Sequence, residues 1–132
     1  MVLGTRREAR ERALSLLYEA EAKELAPADL LAELPVPPAA FVADMVLGVT
    51  DHGAEVDELI TRYAIDWTLD RMPVIDRTLL RMATFELLHR PDVPTAVVIS
   101  EAVELAKQYS TEESGRFVNG VLASIAAVAR PG

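Results

Sequence analysis

The sequence contains no cysteine, no long apolar run and only two histidines, and each shortage excludes a class of protein. Without cysteine there are neither disulfide bonds nor thiolate metal sites, which suits a reducing compartment. No stretch approaches the roughly 18 apolar residues of a membrane-spanning helix, and the polar N-terminus lacks the apolar segment of a signal peptide. We therefore expect a cytoplasmic protein.

Sequence motifs of catalysis and cofactor binding are also missing. The chain has neither a glycine-rich loop that would hold nucleotide phosphates nor a nucleophile elbow. Its histidines, His52 and His89, lie far apart on different predicted helices, without the i, i+4 partner that is typical of a metal site. We expect no catalytic site, no bound metal and no cofactor.

The composition that remains is typical of a globular protein. Apolar residues make up 51% of the chain and charged residues 26%, and the length of 132 residues suits a single domain with one core. The formal net charge is −8, which argues against a protein that coats nucleic acid indiscriminately. Any binding of a polyanion must therefore be local.

Apolar residues recur at intervals of three and four along nearly the whole sequence, which predicts helices throughout. The predicted elements, in order, are an amphipathic helix over 6–24, a proline-rich linker with at most a short helical turn over 25–37, one long helix or two in tandem over 38–64, a helix over 73–89, a helix over 95–109, and a last helix opened by a capping box at Ser110 and Glu113. No segment alternates for long enough to form a strand.

These elements predict an all-α fold of six to seven helices in two packed helical subdomains. We expect a single domain over residues 1–132, with an N-terminal half of about 1–72 and a C-terminal half of about 73–132. No repeat of fixed period indicates a solenoid.

The segment TRREARER, residues 5–12, places four arginines at the start of the first predicted helix of an acidic protein. Thr5 and Glu8 have the spacing of a capping box, so the helix begins at Arg6. Cations are unfavourable in a first turn by up to about 1 kcal/mol each, because the helix dipole is positive there. The arginines therefore call for an explanation other than helix stability.

Helical geometry divides these arginines. At about 100° per residue, Arg6, Arg7 and Arg10 share one arc, whereas Arg12 falls on the far side. Three guanidinium groups beside the free N–H groups of a helix start suit phosphate or another anion. The alternative is that Arg10 and Arg12 only pair with Glu8, Glu11 or Glu19 on a solvated face of the same helix. Spacing alone leaves both interpretations open.

Three other features interrupt the apolar pattern. Glu86 lies within about 20° of the apolar face of its helix, so it either reaches water near the helix end or meets a cation of a partner. Tyr18 lies roughly opposite Ala9 and either presents its ring to another surface or fills the core. Asn119 and Gly120 weaken the last helix, which indicates close backbone packing or a polar contact there.

Three stretches together resemble the NusB family of bacterial transcription antitermination factors, namely RREARERALSLLYEAE, LLRMATFELLHRPDVP and ISEAVELAKQYSTEESGRFVNGVL. The combination of DVP, EAVELAK and FVNGVL in one short chain is specific. The resemblance implies an RNA-binding protein with no enzymatic activity that acts on rRNA transcription by binding the boxA RNA of leader transcripts. It also implies a partner, NusE, the small-subunit ribosomal protein that doubles as a Nus factor, and through it the Nus factor and RNA polymerase complex.

The resemblance further implies roles for individual residues. They are Arg6, Arg7, Arg10, Phe117 and Asn119 for RNA contact, and Tyr18 and Glu86 for contact with NusE. The family often has an acidic residue where this chain has Ala123, so the chain departs from the family pattern in the last helix.

The main alternative function is a protein-interaction or dimerisation module with no role in RNA binding. It predicts intramolecular ion pairs for the arginines and a large apolar surface patch, covered by a second copy in a homodimer. The RNA interpretation instead predicts modest affinity, because few phosphates are contacted, and help from a basic partner docked on the acidic remainder.

Overall fold

The computed structural model describes residues 5–132, and these residues form helices with no strand among them. The seven α-helices are α1 (Arg6–Ala22), α2 (Pro27–Glu33), α3 (Ala40–Asp51), α4 (Gly53–Tyr63), α5 (Val74–His89), α6 (Thr95–Tyr109) and α7 (Glu112–Ala129). A short 3₁₀ helix, Leu69–Arg71, connects α4 to α5. The predicted all-α fold class is confirmed. In the part of the chain that the structure describes, no helix is both long enough and apolar enough to span a membrane.

The two capping predictions have different outcomes. At α1 the capping box forms as predicted, because the Thr5 hydroxyl accepts from the Glu8 backbone N–H at 3.1 Å and the Glu8 carboxylate accepts from the Thr5 N–H at 3.3 Å. At α7 the predicted cap is wrong by one residue. Ser110 ends α6, and Thr111 is the residue whose side chain accepts from the Ser114 N–H at 2.9 Å.

Two ambiguous segments are resolved by the structure. Residues 38–64 form two helices in tandem, α3 and α4, which are separated at His52 by a departure from helical backbone angles. The proline-rich linker holds more helix than predicted, since α2 has seven residues. Pro27 stands at the start of α2, where its missing N–H would in any case lack a partner.

Helix α5 lies at the centre of the fold. It packs against α1, α3, α4, α6 and α7, and ten of its 16 residues are buried. Helix α1 runs antiparallel to α5, because Arg10 meets Glu86 at one end of the contact while Glu21 meets Arg77 at the other. The start of α1 therefore lies beside the C-terminal end of α5.

The glycines show where backbones approach closely. Gly48 of α3 packs against the Phe85 ring of α5, and a Cβ atom at this position would overlap the ring. Gly120 of α7 is different, because nothing lies within 4 Å of the place where its Cβ would stand. Asn119 and Gly120 are both exposed, so the predicted close packing of this pair is wrong.

Candidate nucleic-acid interface

Arg10 points into the protein and pairs with Glu86. Its Nε donates to Oε2 at 2.9 Å and its Nη2 donates to Oε1 at 2.7 Å, with the two side chains only 3% and 2% exposed. Both carboxylate oxygens are thereby bonded in the fork geometry that arginine favours. The ion pair joins α1 to α5.

This ion pair corrects two predictions at once. Arg10 was expected to contact RNA and Glu86 to contact NusE, but neither side chain is accessible to an outside molecule in this structure. The physical reason is helical geometry. Arg10 stands seven positions before the buried Leu17, about two turns, so it lies on the face of α1 that packs against the core.

Three guanidinium groups surround the ring of Phe41 at the start of α3. Their Cζ atoms lie 4.4 Å (Arg6), 4.8 Å (Arg90) and 5.5 Å (Arg10) from the ring centroid. These distances suit cation–π attraction. We call Phe41 with Arg6, Arg10 and Arg90 the Phe41 cluster. Arg90, which follows α5, had not been predicted as a site residue.

Carboxylates balance much of the charge of the Phe41 cluster. Arg90 donates to both oxygens of Asp92 at 3.1 Å and to Asp44 at 2.8 Å, and Arg6 lies 3.7 Å from Asp92. The hydrogen bonds from Arg90 lower the pKa of the Asp92 carboxyl to about 2 and raise the pKa of the Arg90 guanidinium. Asp92 is therefore ionised at neutral pH, and it offsets part of the positive potential around Phe41.

Arg7 is also paired, but it remains half-exposed. Its Nε donates to Glu101 Oε1 at 3.0 Å and its Nη2 donates to Oε2 at 2.6 Å, which joins α1 to α6. The hydrogen bond from Arg7 lowers the pKa of Glu101. The predicted alternative of pairing within α1 is wrong for Arg10, because its partner Glu86 lies on α5.

Arg12 lines a groove together with Arg6, although helical spacing had placed Arg12 on the far side of α1 from the predicted site. The groove has a volume of about 430 Å³ and is lined by Arg6, Ala9, Arg12 and Phe41 among others. Ala9 lies between the two arginines around α1, and its small side chain leaves the space between their guanidinium groups open. An exposed apolar groove with an arginine on each side can accept a base together with its phosphates. The small residue between two arginines was the sequence signal for this site.

Phe117 and Asn119 both lie on α7 but face different sides of it, because two positions turn a helix by about 200°. Phe117 is half-buried and meets the half-exposed Trp67 edge to face, with ring centroids 6.5 Å apart, whereas Asn119 is exposed. Beside the Phe117 and Trp67 rings is a pocket of about 190 Å³ that Asp76 also lines. Asp76 is buried, and its Oδ1 has no hydrogen-bond partner among the described residues.

The structure does not bring the two predicted RNA-contacting segments together. Phe117 lies beside Asp76, in the first turn of α5, while Arg10 lies beside Glu86, ten residues further along the same helix. Ten residues of α-helix span about 15 Å. The arginines and the aromatic residues therefore lie near opposite ends of α5.

Tyr18 is 48% exposed, so the alternative in which it fills the core is wrong. It lines a groove of about 310 Å³ with Ile75 and the exposed Tyr109, whose hydroxyl donates to Glu11 and whose pKa is raised by that bond. Tyr18 is also distant from Glu86, because it follows Arg10 by eight residues of α1, about 12 Å. Its contact with NusE stays a prediction.

The two histidines, expected to be unrelated, are in contact. His52, between α3 and α4, stacks on His89, the last residue of α5, with ring centroids 3.8 Å apart. The expectation that they lie far apart is therefore wrong, since the fold joins helix ends that are 37 positions apart in the sequence.

Comparison with known protein families identifies a close match. A family model described as the NusB family matches residues 7–127. The transcription antitermination protein NusB of Kineococcus radiotolerans is 47% identical over 128 residues, which cover 94% of this chain and 94% of that protein. The NusB of Acidothermus cellulolyticus is 47% identical over 131 residues, covering 95% of this chain and 89% of that protein.

Solved structures agree with the sequence comparison. The structure of T. maritima NusB superposes with a TM-score of 0.87 at 36% identity and covers 98% of this chain and 96% of that one. A structure described as antitermination factors NusB and NusE in complex with dsRNA superposes with a TM-score of 0.79 at 28% identity, covering 93% of this chain and 96% of that one.

Proposed function

The chain belongs to the NusB family, and from this premise we propose that it is an RNA-binding transcription antitermination factor that binds boxA RNA together with NusE and so acts on rRNA transcription. The observation that carries the proposal is the shared fold with a NusB that is described in complex with NusE and dsRNA. The exposed arginines at the start of α1 supply local positive charge in an otherwise acidic protein.

The proposed mechanism is recognition without catalysis, in the cytoplasm, where transcripts are made. Phosphates of single-stranded RNA contact the guanidinium groups of Arg6 and Arg12, while a base enters the apolar groove beside Phe41. Arg7 stays half-exposed beside them, but the Glu101 carboxylate balances its charge. We assign Arg10 an indirect role, in which it holds the first turns of α1 against α5.

A second proposed RNA contact involves Phe117 and Asn119 of α7. Single-stranded RNA exposes its bases for stacking on aromatic side chains. Trp67 and Phe117 offer two partly exposed rings in contact with one another, whereas Asn119 is exposed on another side of α7. The RNA strand would have to extend along α5 to reach both this contact and the groove beside Phe41.

For NusE we propose the groove between α1 and the end of α6. Tyr18 and Tyr109 are exposed there, and tyrosine is enriched at protein interfaces. The net charge of −8 favours a basic partner and speeds their encounter. A homodimer stays an alternative use of this surface, and sedimentation over a range of concentrations detects it.

Replacing Arg6 and Arg12 together by alanine tests the RNA site. We expect the affinity for labelled boxA RNA to fall at least about tenfold, because two charge-assisted hydrogen bonds to phosphate are lost. The slope of log affinity against log salt should become shallower by about 1.4, which corresponds to two phosphates of a single strand.

The matched control for this test replaces Lys23 and Arg62 by alanine. It removes the same charge from exposed cations that pair with glutamates of their own helices. We expect little change in RNA affinity. Equal losses in both double variants would mean that only net charge matters, and no loss in either would exclude the groove as the RNA site.

Replacing Tyr18 by alanine tests the proposed NusE surface. We expect the gain in RNA affinity that NusE provides to shrink at least about tenfold, as for a buried tyrosine at an interface. RNA binding without NusE should not change, since Tyr18 lies six residues, about 9 Å, beyond Arg12 along α1 and does not line the RNA groove. The two titrations, with and without NusE, use the same labelled RNA. An unchanged gain would contradict the assignment of this surface.

A further inference from the structure

The only two histidines of the chain meet one glutamate at the junction of three helices. Glu55 Oε1, in the first turn of α4, lies 2.8 Å from His89 Nε2 and 3.8 Å from His52 Nδ1. The imidazole rings are stacked, with an angle of 26° between their planes. One ligand atom from each of the three side chains lies within 4.8 Å of the others.

Two imidazoles and one carboxylate form a ligand set of the kind that binds zinc. With metal–ligand bonds of about 2.0–2.1 Å, a tetrahedral ion places its ligand atoms about 3.3 Å apart. The separations of 2.8 Å and 3.8 Å lie on either side of that value, about half an ångström from it. All three side chains are partly exposed, so they can make this adjustment and leave a fourth position to water.

The positions of the two rings are set by the core beneath them. The Phe85 ring lies 5.9 Å from His52 and 5.5 Å from His89, measured between centroids. Phe85 is buried and is itself held against Gly48. Both imidazoles therefore lie against a fixed aromatic side chain. The lone pair of a ring nitrogen lies in the plane of its ring, and two nearly parallel stacked planes cannot both contain one ion, so one of the two rings turns about its Cβ–Cγ bond when the ion binds.

We propose that His52, Glu55 and His89 bind one divalent transition-metal ion of the zinc type, which ties the α3–α4 junction to the C-terminal end of α5. Imidazole nitrogen with carboxylate oxygen selects such ions over Mg²⁺, which prefers oxygen ligands alone. The ion would hold the last turn of α5, directly before Arg90 of the Phe41 cluster.

Titration of the full chain with Zn²⁺, followed by calorimetry and by thermal unfolding, tests this site. The protein must carry no histidine tag, because a tag binds the same ions. We expect one Zn²⁺ per chain and a rise of several degrees in Tm, since an ion that binds the folded state stabilises it. Mg²⁺ at the same concentrations should do neither.

Three variants connect the binding to the proposed ligands. His52→Ala, His89→Ala and Glu55→Gln should each weaken Zn²⁺ binding at least about tenfold, because even outer-shell changes cost that much in metal sites. Glu58→Gln is the matched control, as it removes an exposed carboxylate one turn along the same helix and should leave Zn²⁺ binding unchanged. Glu55→Gln keeps the size of the side chain, so a folding defect is not expected to obscure its result.

Two outcomes would overturn the proposal. One is the absence of stoichiometric Zn²⁺ binding to the wild-type chain. The other is binding that Mg²⁺ reproduces or that survives in all three ligand variants, because either result would assign the ion to scattered surface carboxylates.

Discussion

Replacing Glu86 by alanine is expected to lower the free energy of unfolding by about 3–5 kcal/mol, because it leaves the buried Arg10 guanidinium without its partner. The side chains are 3% and 2% exposed, so water cannot replace the two lost hydrogen bonds without opening the contact between α1 and α5. The Phe41 ring, 5.5 Å from the Arg10 Cζ, is too weak a partner to compensate. Urea denaturation followed by circular dichroism measures the loss.

The double variant Arg10→Met with Glu86→Leu is the control for this prediction. It fills the same space with apolar side chains, and we expect it to recover most of the stability that the single variant loses. A loss below about 1 kcal/mol for Glu86→Ala would be typical of an exposed ion pair and would contradict the burial of this one.

RNA binding by the same double variant separates an indirect role of Arg10 from a direct one. If Arg10 only anchors α1, the folded double variant should bind boxA RNA as the wild type does. A loss as large as that of the Arg6 and Arg12 variant would restore Arg10 as a direct RNA contact. The comparison is independent of stability, because it is made on folded protein.

Local signals allowed much of the fold to be predicted. The capping box at Thr5 and Glu8 is encoded within four residues, and the helical period predicts α5 and α6 almost to the residue. The error at Ser110 arose because Ser110 and Thr111 both carry a hydroxyl that can cap a helix. The sequence does not show that Ser110 still belongs to the end of α6, whereas the backbone of the structure does. The division into halves near residue 72 stays a prediction.

The candidate site was harder to predict because its contacts are not local. Arg10 pairs with Glu86, 76 positions away, and Arg7 pairs with Glu101, 94 positions away. A single sequence does not show which residues of distant helices lie opposite one another. The positive charge of Arg10 also favoured its assignment to an exposed RNA site, since arginine side chains are normally exposed. The position of Arg10 on the same face as Leu17 indicated burial, and Glu86 on an apolar face was its complement. Only the two residues considered together predict a buried ion pair between α1 and α5.

Arg130, which follows α7, makes a second long-range attachment that no local pattern marks. Its guanidinium donates from all three nitrogens to the region around the C-terminal end of α5 and the start of α6, with acceptors at the carbonyls of Glu86, Leu87, Arg90 and Val93 and at the Thr95 hydroxyl, over distances of 2.6 to 3.1 Å. The last carbonyls of a helix lack partners within it, and a cation there also favours the dipole. Arg130 therefore caps α5 from another helix.

Replacing Arg130 by alanine should lower the free energy of unfolding by about 2–4 kcal/mol, because several partly buried carbonyls lose a charged donor at once. Arg130→Lys keeps the charge but not the planar fork, so it should recover only a minor part of the loss. Arg116→Ala, in α7, removes an arginine that is 70% exposed and should change stability by less than about 0.5 kcal/mol. Full stability with lysine at position 130 would contradict this prediction. It would mean that the positive charge near the end of α5 stabilises the fold and that the directed hydrogen bonds of the guanidinium group do not.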